Sequence, residues 1–123
     1  MKKNIKIYLF GVLASAVLFT GCGPQAKPPL YHWGQYTKSS LKFFHEEGNP
    51  EALQKHKVVL EEIINTSEGK NKKVAPGLYA EFGQLCYQSG EYEKAIAYLK
   101  KERTTYPESH KFIDRILKQM GDK

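Results

Sequence analysis

Apolar residues recur along Pro76–Ser109 at the three- and four-residue spacing of amphipathic helices. Gly90 interrupts this pattern, and glycine readily adopts the positive φ that ends many helices. The apolar positions are Tyr79, Phe82 and Cys86 before Gly90, and Tyr92, Ala95, Ile96 and Leu99 after it. The segment therefore predicts two antiparallel helices joined by a short turn.

This segment is 34 residues long, and its aromatic, small and proline positions resemble the tetratricopeptide repeat. Gly83 and Ala95 are small where the two helices would approach closely. Pro76 suits a first helical turn, where its missing N–H would have no intrahelical acceptor, and Pro107 would end the second helix. The departures from the repeat are Cys86, where tyrosine is usual, and Glu102, where a small residue is usual.

A more degenerate hairpin is predicted upstream. Its first helix would have one face formed by Trp33, Tyr36, Ser40, Leu41 and Phe44. Gly48 then marks a helix boundary, because Asn49 is a good N-cap and Pro50 suits the first helical position. The second helix would continue through apolar positions at Ala52, Leu53, His56, Val59, Leu60, Ile63 and Ile64.

We expect five helices and no sheet over residues 31–123. Gly48 and Gly90 are 42 residues apart, eight more than one repeat, and we place the surplus in a polar loop at Thr66–Lys73. A last amphipathic helix would cap the open face of the second hairpin through Phe112, Ile113, Ile116, Leu117 and Met120. The predicted fold class is all-α, with tetratricopeptide-like antiparallel hairpins.

The N-terminus has the pattern of an export signal. Three lysines precede Ile7–Phe19, an uncharged run of 13 residues. This run has the length of a signal-peptide core and is short of the roughly 20 residues that span a bilayer. Leu18–Cys22 resembles a lipobox, whose cysteine receives a lipid. We therefore predict a signal peptide at residues 1–21 and lipid attachment to Cys22, the alternative being an uncleaved anchor.

Residues 22–30 form a predicted proline-rich tether, which would hold the domain about 20 Å from the membrane in an extended conformation. Gly23, rather than aspartate, follows the cysteine and resembles the outer-membrane class of lipoproteins. Cleavage would leave 16 basic and 13 acidic residues, a formal charge of 16 − 13 = +3 instead of +6. The basic balance of the full chain is thus partly due to the signal and does not indicate nucleic-acid binding.

The chain shows no pattern of catalytic or metal-binding residues. His32, His45, His56 and His110 are scattered, and we expect them to be solvated or packed. Ser39 and Ser40 have no evident general base. Cys86, left alone if Cys22 carries lipid, is expected to be a buried apolar residue, with a reactive thiol as the alternative. We expect no enzyme activity, no cofactor and no metal.

The mature chain resembles the DUF4810 lipoproteins. The resemblance rests on the lipobox, the Tyr31–Tyr36 segment, Pro76–Gly83, the Gly90–Lys100 core and Tyr106–Ser109. It implies an outer-membrane lipoprotein of undefined activity. Members are often encoded beside a lipoprotein similar to the curli secretion channel, which implies a part in envelope export or assembly.

Five residues are candidates for binding a protein partner: Trp33, Tyr36, Gln84, Tyr87 and Gln88. The last three belong to an uncharged face of the first repeat helix, together with Gly77 and Ala80. Aromatic residues dominate interface hot spots, although core packing is the alternative for Trp33 and Tyr36.

The favoured function is a membrane-anchored, periplasm-facing adaptor that binds proteins of an envelope secretion or assembly complex. The alternative is an accessory lipoprotein that binds peptidoglycan or an exported glycan. Because repeat stacks generally need about three units, two hairpins and a cap would form either a compact bundle or a domain that packs on another subunit.

Overall fold

A computed structural model describes residues 27–121, and within this range the chain forms five α-helices and no strand. The helices are α1 (Tyr36–His45), α2 (Pro50–Gly69), α3 (Leu78–Gln88), α4 (Tyr92–Thr105) and α5 (His110–Gly121), with a 3-10 turn at Pro107–Ser109 before α5. The prediction of an all-α fold with five helices is confirmed. The predicted signal peptide and Cys22 lie outside the described residues.

Local chemistry explains where the second helix starts. The Asn49 side chain accepts a hydrogen bond from the Glu51 amide at 2.9 Å, and Pro50 occupies the first helical position. Gly48 precedes this cap with a φ of +82°, and Gly90 has a φ of +80° in the turn between α3 and α4. Both predicted helix boundaries are confirmed.

Consecutive helices run antiparallel and form two hairpins, α1–α2 and α3–α4. The Gly77 amide at the start of α3 donates to Glu102, near the end of α4, at 2.8 Å. A Cβ atom on Gly83 would lie 3.0 Å from the Ala95 carbonyl oxygen and 3.2 Å from the Leu99 side chain. Glycine is therefore needed where α3 crosses α4. The arrangement is compatible with tetratricopeptide hairpins, and α5 packs on α4 as the capping helix.

The core lies mainly between α2, α3 and α4. Its largest fully buried apolar side chains are Leu60, Ile63, Ile64, Val74, Phe82, Cys86, Leu99 and Ile113. Cys86 is fully buried, as predicted, and forms no disulfide within the part of the chain that the structure describes. Burial raises the pKa of its thiol, which opposes formation of the reactive thiolate.

Three ion pairs connect α2 with α4 or with Glu91, the residue just before α4, and show which positions of the two helices lie beside each other. Lys57 pairs with Glu91, Glu61 with Lys94 at 2.8 Å, and Glu68 with Lys101 at 3.1 Å. The paired residues are 33 or 34 positions apart. This is the length of one repeat, so the second helices of the two hairpins lie side by side and parallel.

The prediction of a polar loop at Thr66–Lys73 is wrong over its first half. Helix α2 continues to Gly69, and only the residues after it leave the helix. The Ser67 hydroxyl donates to the Ile63 carbonyl at 2.8 Å, and the Glu68 carboxylate accepts from the Tyr79 hydroxyl at 2.7 Å. These contacts give the polar residues hydrogen-bond partners, and the helix continues through the first half of the predicted loop.

The predicted face of α1 is also wrong in part. Trp33 precedes the helix, and the Leu41 and Phe44 side chains are 57% and 70% exposed. Phe43 faces inward instead, where its ring stacks on His56 with centroids 5.1 Å apart. The buried side of α1 therefore includes Ser39 and Phe43, both of which contact the buried His56 of α2.

Pro76 does not lie in the first turn of α3 but in the turn that precedes it. The helix begins at Leu78, after Gly77, which has a φ of +89° that favours glycine. Because glycine has no side chain, Gly77 cannot cap the start of the helix with a side-chain hydrogen bond. Glu102 supplies the missing acceptor from α4. This role explains the acidic residue at a position where the repeat usually has a small one.

No helix in the described range is both long enough and apolar enough to cross a membrane.

Candidate functional site

Four polar side chains connect α1, α2 and α3 near the first hairpin. The ring of fully buried His56 lies 2.8 Å from the Ser39 hydroxyl through Nδ1 and 2.9 Å from Glu81 through Nε2. The Tyr36 hydroxyl donates to the second oxygen of the Glu81 carboxylate at 2.9 Å. Burial, followed by the negative charge of Glu81, raises the pKa of Tyr36. His56 is packed, as predicted.

The expectation that Ser39 lacks a basic partner is wrong, because distant residues on α2 and α3 complete this network. A serine, a histidine and a carboxylate in series resemble a hydrolase triad. A hydrolase also needs amide donors for an oxyanion, and the Ser39 amide already donates to the Gln35 carbonyl at 3.0 Å within the helix. The network satisfies the polar atoms of a buried histidine and links three helices.

The predicted aromatic group forms, but its members differ in exposure. The ring of Trp33 lies 6.3 Å from Tyr31 and 5.3 Å from Tyr36. Trp33 is 45% exposed and can contact a partner, whereas Tyr36 is half-buried and bonded to Glu81. A Cβ atom on Gly34 would lie 3.1 Å from Ile63, so the segment itself is held closely against α2.

A concave surface lies where the two hairpin turns meet. It encloses about 650 Å³ between the end of α1, the start of α2 and the end of α3. Phe43, Phe44 and Leu53 form apolar walls, and Gln54 and Gln88 add amide groups. We call this surface the hairpin-tip pocket, and define it by these five residues.

The long helix α2 explains why this pocket exists. Lys57 on α2 pairs with Glu91, the residue immediately before α4. The preceding residues of α2, from Pro50 to His56, therefore extend about 10 Å beyond the start of α4 at 1.5 Å per residue. This overhang leaves a step beside the end of α3. Across the step, the Gln54 amide donates to the Ser89 hydroxyl at 3.2 Å.

A smaller concave surface of about 300 Å³ lies on the other side of the α3–α4 turn. It is lined by Tyr87, Tyr92, Ile96 and Met120. The rings of Tyr87 and Tyr92 meet edge to face with centroids 5.2 Å apart. The surface combines α3, α4 and the capping helix α5, so it depends on the complete domain.

Two of the three candidates on α3 line these surfaces, whereas Gln84 is not among the residues that line either one. Gln84 and Gln88 are exposed, and Tyr87 is half-buried. Gln88 lines the hairpin-tip pocket and Tyr87 lines the smaller surface. Tyr36 and Trp33 are not brought to either surface and belong to the aromatic group.

The periodicity of the sequence does not reveal most of the hairpin-tip pocket. It places Phe44 on the core face of α1 and Leu53 on the core face of α2, and it singles out neither Phe43 nor Gln54. The available signal is the Gly48–Gly90 spacing, which exceeds one repeat by eight residues. Eight additional residues at the start of α2 would form the overhang beside which the pocket lies.

Within residues 27–121, no group of three or more histidine, cysteine, aspartate or glutamate side chains is arranged to hold a metal ion.

Comparison with known proteins identifies one family. The family model described as a domain of unknown function (DUF4810) matches residues 30–116, which covers more than half of the chain. No curated protein and no solved structure matches. The match begins at Leu30 and includes both hairpins and most of α5.

Proposed function

We propose that this chain, which belongs to the DUF4810 family, is a lipid-anchored adaptor that binds other proteins of the cell envelope. It would be attached through Cys22 and face the periplasm from the outer membrane. In this position it would help to assemble an envelope secretion or surface complex. The resemblance described above makes a lipoprotein similar to the curli secretion channel the first partner to examine.

The hairpin-tip pocket is the observation that supports this proposal. Its volume and its apolar walls suit one or two large apolar side chains of a partner, and Gln54 and Gln88 can bond to the partner's main chain. The Phe44 side chain is 70% exposed, although most large apolar side chains of the domain are buried or half-buried. A partner that covers Phe44 would remove this apolar surface from water.

Phe44 and Phe112 provide a matched pair of variants. Both phenylalanines are mostly exposed, at 70% and 59%, but Phe112 lies on α5 and does not line the pocket. Because each side chain faces solvent, replacement with aspartate should leave the domain folded. Only Phe44→Asp should weaken a partner that occupies the pocket, by about 2 kcal/mol or roughly thirtyfold in affinity if Phe44 is a hot spot.

The test is affinity purification of the full lipoprotein from its native envelope in mild detergent. We expect a partner in fixed stoichiometry with the wild-type protein and with Phe112→Asp, and its loss with Phe44→Asp. Cys22→Ala reports whether the anchor is needed. Recovery of the wild-type protein alone would contradict the adaptor proposal.

Retention on isolated cell wall would favour the glycan-binding function instead. Trp33, with its partly exposed ring, is the side chain on which a sugar could stack. A Trp33→Ala variant distinguishes the two functions, because it should abolish sedimentation with cell wall and leave capture by the hairpin-tip pocket intact.

A further inference from the structure

Exposed apolar side chains are concentrated at the N-terminal end of the described chain. Eight large apolar side chains are exposed in this range, and four of them lie between residues 30 and 44. They are Leu30 at 73%, Trp33 at 45%, Leu41 at 57% and Phe44 at 70%. The other four are spread along the chain from Val58 to Phe112. Such clustering marks a surface that contacts something other than water.

The same stretch carries positive charge and no negative charge. The first acidic residue in the whole sequence is Glu46, whereas Lys27, Lys38 and Lys42 precede it and are exposed. Lys42 approaches Glu46 only at 3.8 Å and stays 56% exposed. Helix α2 differs, since it contains both glutamates and lysines. Its residues Lys57, Glu61 and Glu68 form ion pairs with Glu91, Lys94 and Lys101.

Helix α1 presents these residues on one side. At 100° per residue, its exposed positions fall within an arc of about 160°. They are Thr37, Lys38, Leu41, Lys42, Phe44 and His45. The opposite side is occupied, because Ser39 and Phe43 contact His56. The outer side of α1 therefore has an apolar half, with Leu41 and Phe44, and a basic half, with Lys38 and Lys42.

We infer that the outer side of α1, with Lys38, Leu41 and Lys42, lies against a lipid surface that contains anionic headgroups, and that Leu30 and Trp33, which precede the helix, enter the same lipid surface. Apolar side chains would enter the headgroup boundary, and the lysines would meet lipid phosphates. An acidic protein surface would match the lysines but not the apolar side chains that accompany them along this one short stretch.

The position of this surface in the chain supports the lipid assignment. Leu30 follows Cys22 by eight residues, which can span at most about 28 Å. An anchor on Cys22 would hold the surface within reach of the membrane at high effective concentration, so that weak docking suffices. The inference uses the predicted anchor but not the adaptor function. Because α1 is the first helix in the described part of the chain and α5 packs on α4, docking would place α5 at the far end from the lipid.

The test uses the full-length lipidated protein in vesicles of phosphatidylcholine, with or without phosphatidylglycerol. A nitroxide label is placed at Leu41→Cys or, as the matched control, at Val58→Cys, which is 61% exposed on α2. Cys86 is fully buried and Cys22 would be blocked by lipid, so labelling is selective. No partner protein is present, and the result is therefore independent of the adaptor proposal.

In anionic vesicles, we expect the label at position 41 to collide more with oxygen and less with a water-soluble nickel chelate than the label at position 58. The double variant Lys38→Glu/Lys42→Glu should reduce the ratio of docked to undocked protein by at least about fivefold for each lysine. The control Lys111→Glu/Lys118→Glu, on exposed positions of α5, should not.

Equal exposure of the two labels to the nickel chelate in anionic vesicles would overturn the inference. Shielding of position 41 in protein released from its anchor, without vesicles, would also overturn it and would identify a second copy of the chain as the occupant. Equal shielding with and without phosphatidylglycerol would overturn the assignment to anionic headgroups.

Discussion

Replacement of Glu102 with alanine tests how α3 begins. Gly77 precedes this helix and has no side chain to cap it, and the Glu102 carboxylate on α4 accepts the Gly77 amide at 2.8 Å. Glu102 is only 3% exposed, so water does not replace it freely. Loss of a helix cap costs about 0.5–2 kcal/mol. We expect Glu102→Ala to lower the free energy of unfolding by about 1–2 kcal/mol.

Replacement with glutamine separates the hydrogen bond from the charge. Glutamine keeps the shape and an acceptor oxygen, but it cannot ionise. Burial raises the pKa of Glu102 above its ordinary value of 4.5, although the amides of Gly77, Tyr79 and Ala80 oppose this shift. The native carboxyl therefore binds its proton more tightly than the unfolded one. The resulting stabilisation is fully present below about pH 4.5 and is lost as the pH rises through the native pKa.

The assay is urea unfolding followed by circular dichroism at several pH values between 4.5 and 7.5, with the Cys22→Ala background for all proteins. Glu68 and Glu91 have lowered pKa values because of their hydrogen bonds to Tyr79 and Lys57, and they stabilise the fold in the opposite pH direction. The difference between wild type and Glu102→Gln removes their contribution. This difference should favour the wild type more at low pH. A flat difference, or a Glu102→Ala variant as stable as wild type, would refute the reasoning.

Three further predictions concern packing and burial. Gly83→Ala should lower the free energy of unfolding, measured by thermal or urea unfolding, by about 1–3 kcal/mol, because the new Cβ would meet the Ala95 carbonyl oxygen. The control is Gly69→Ala, since Gly69 has open space around it. This variant should be as stable as the wild type or more stable in the same experiment. His56→Ala should lower the free energy of unfolding by at least about 2 kcal/mol, because the Ser39 and Glu81 side chains lose their hydrogen-bond partner. Replacement of the exposed His45 with alanine should change it by less than about 0.5 kcal/mol. In Cys22→Ala protein, Cys86 should resist a thiol reagent at pH 8 until urea unfolds the chain, and prompt reaction of the native protein would contradict its burial.

The helices could be predicted from sequence where their boundaries depend on local chemistry. Asn49 and Pro50 define the start of α2 through a cap and a missing amide, and Gly90 allows the turn before α4. Gly83 and Ala95 could be recognised as a close approach because the repeat pattern specifies both. These signals lie within a few residues of the structure they determine.

The features that were mispredicted depend on residues far apart in the chain. Helix α2 continues through part of the predicted loop, where Glu68 contacts Tyr79 and Lys101, and periodicity within α2 does not reveal either contact. Likewise, the buried side of α1 is defined by contacts of Ser39 and Phe43 with His56 on α2. The role of Glu102 depends on a missing cap that lies 25 residues earlier.

The hairpin-tip pocket also depends on residues that are far apart in the chain. It results from the register between α2 and α4, which the ion pairs of Lys57 and two further residues of α2 determine. The sequence contained the surplus of eight residues between Gly48 and Gly90, but a longer loop and a longer helix explained that surplus equally well. Only the structure distinguishes them, and only the longer helix produces an overhang.

Site-specific photo-crosslinking at Phe44 in living cells tests the adaptor proposal most directly. A photoreactive phenylalanine analogue preserves the aromatic side chain at position 44, and the same replacement at Phe112 provides an exposed control outside the pocket. The proposal predicts one defined adduct with an envelope protein at position 44, absent at position 112 and suppressed when Gln88 is replaced with a bulky arginine. No adduct at position 44, or the same adducts at both positions, would contradict it.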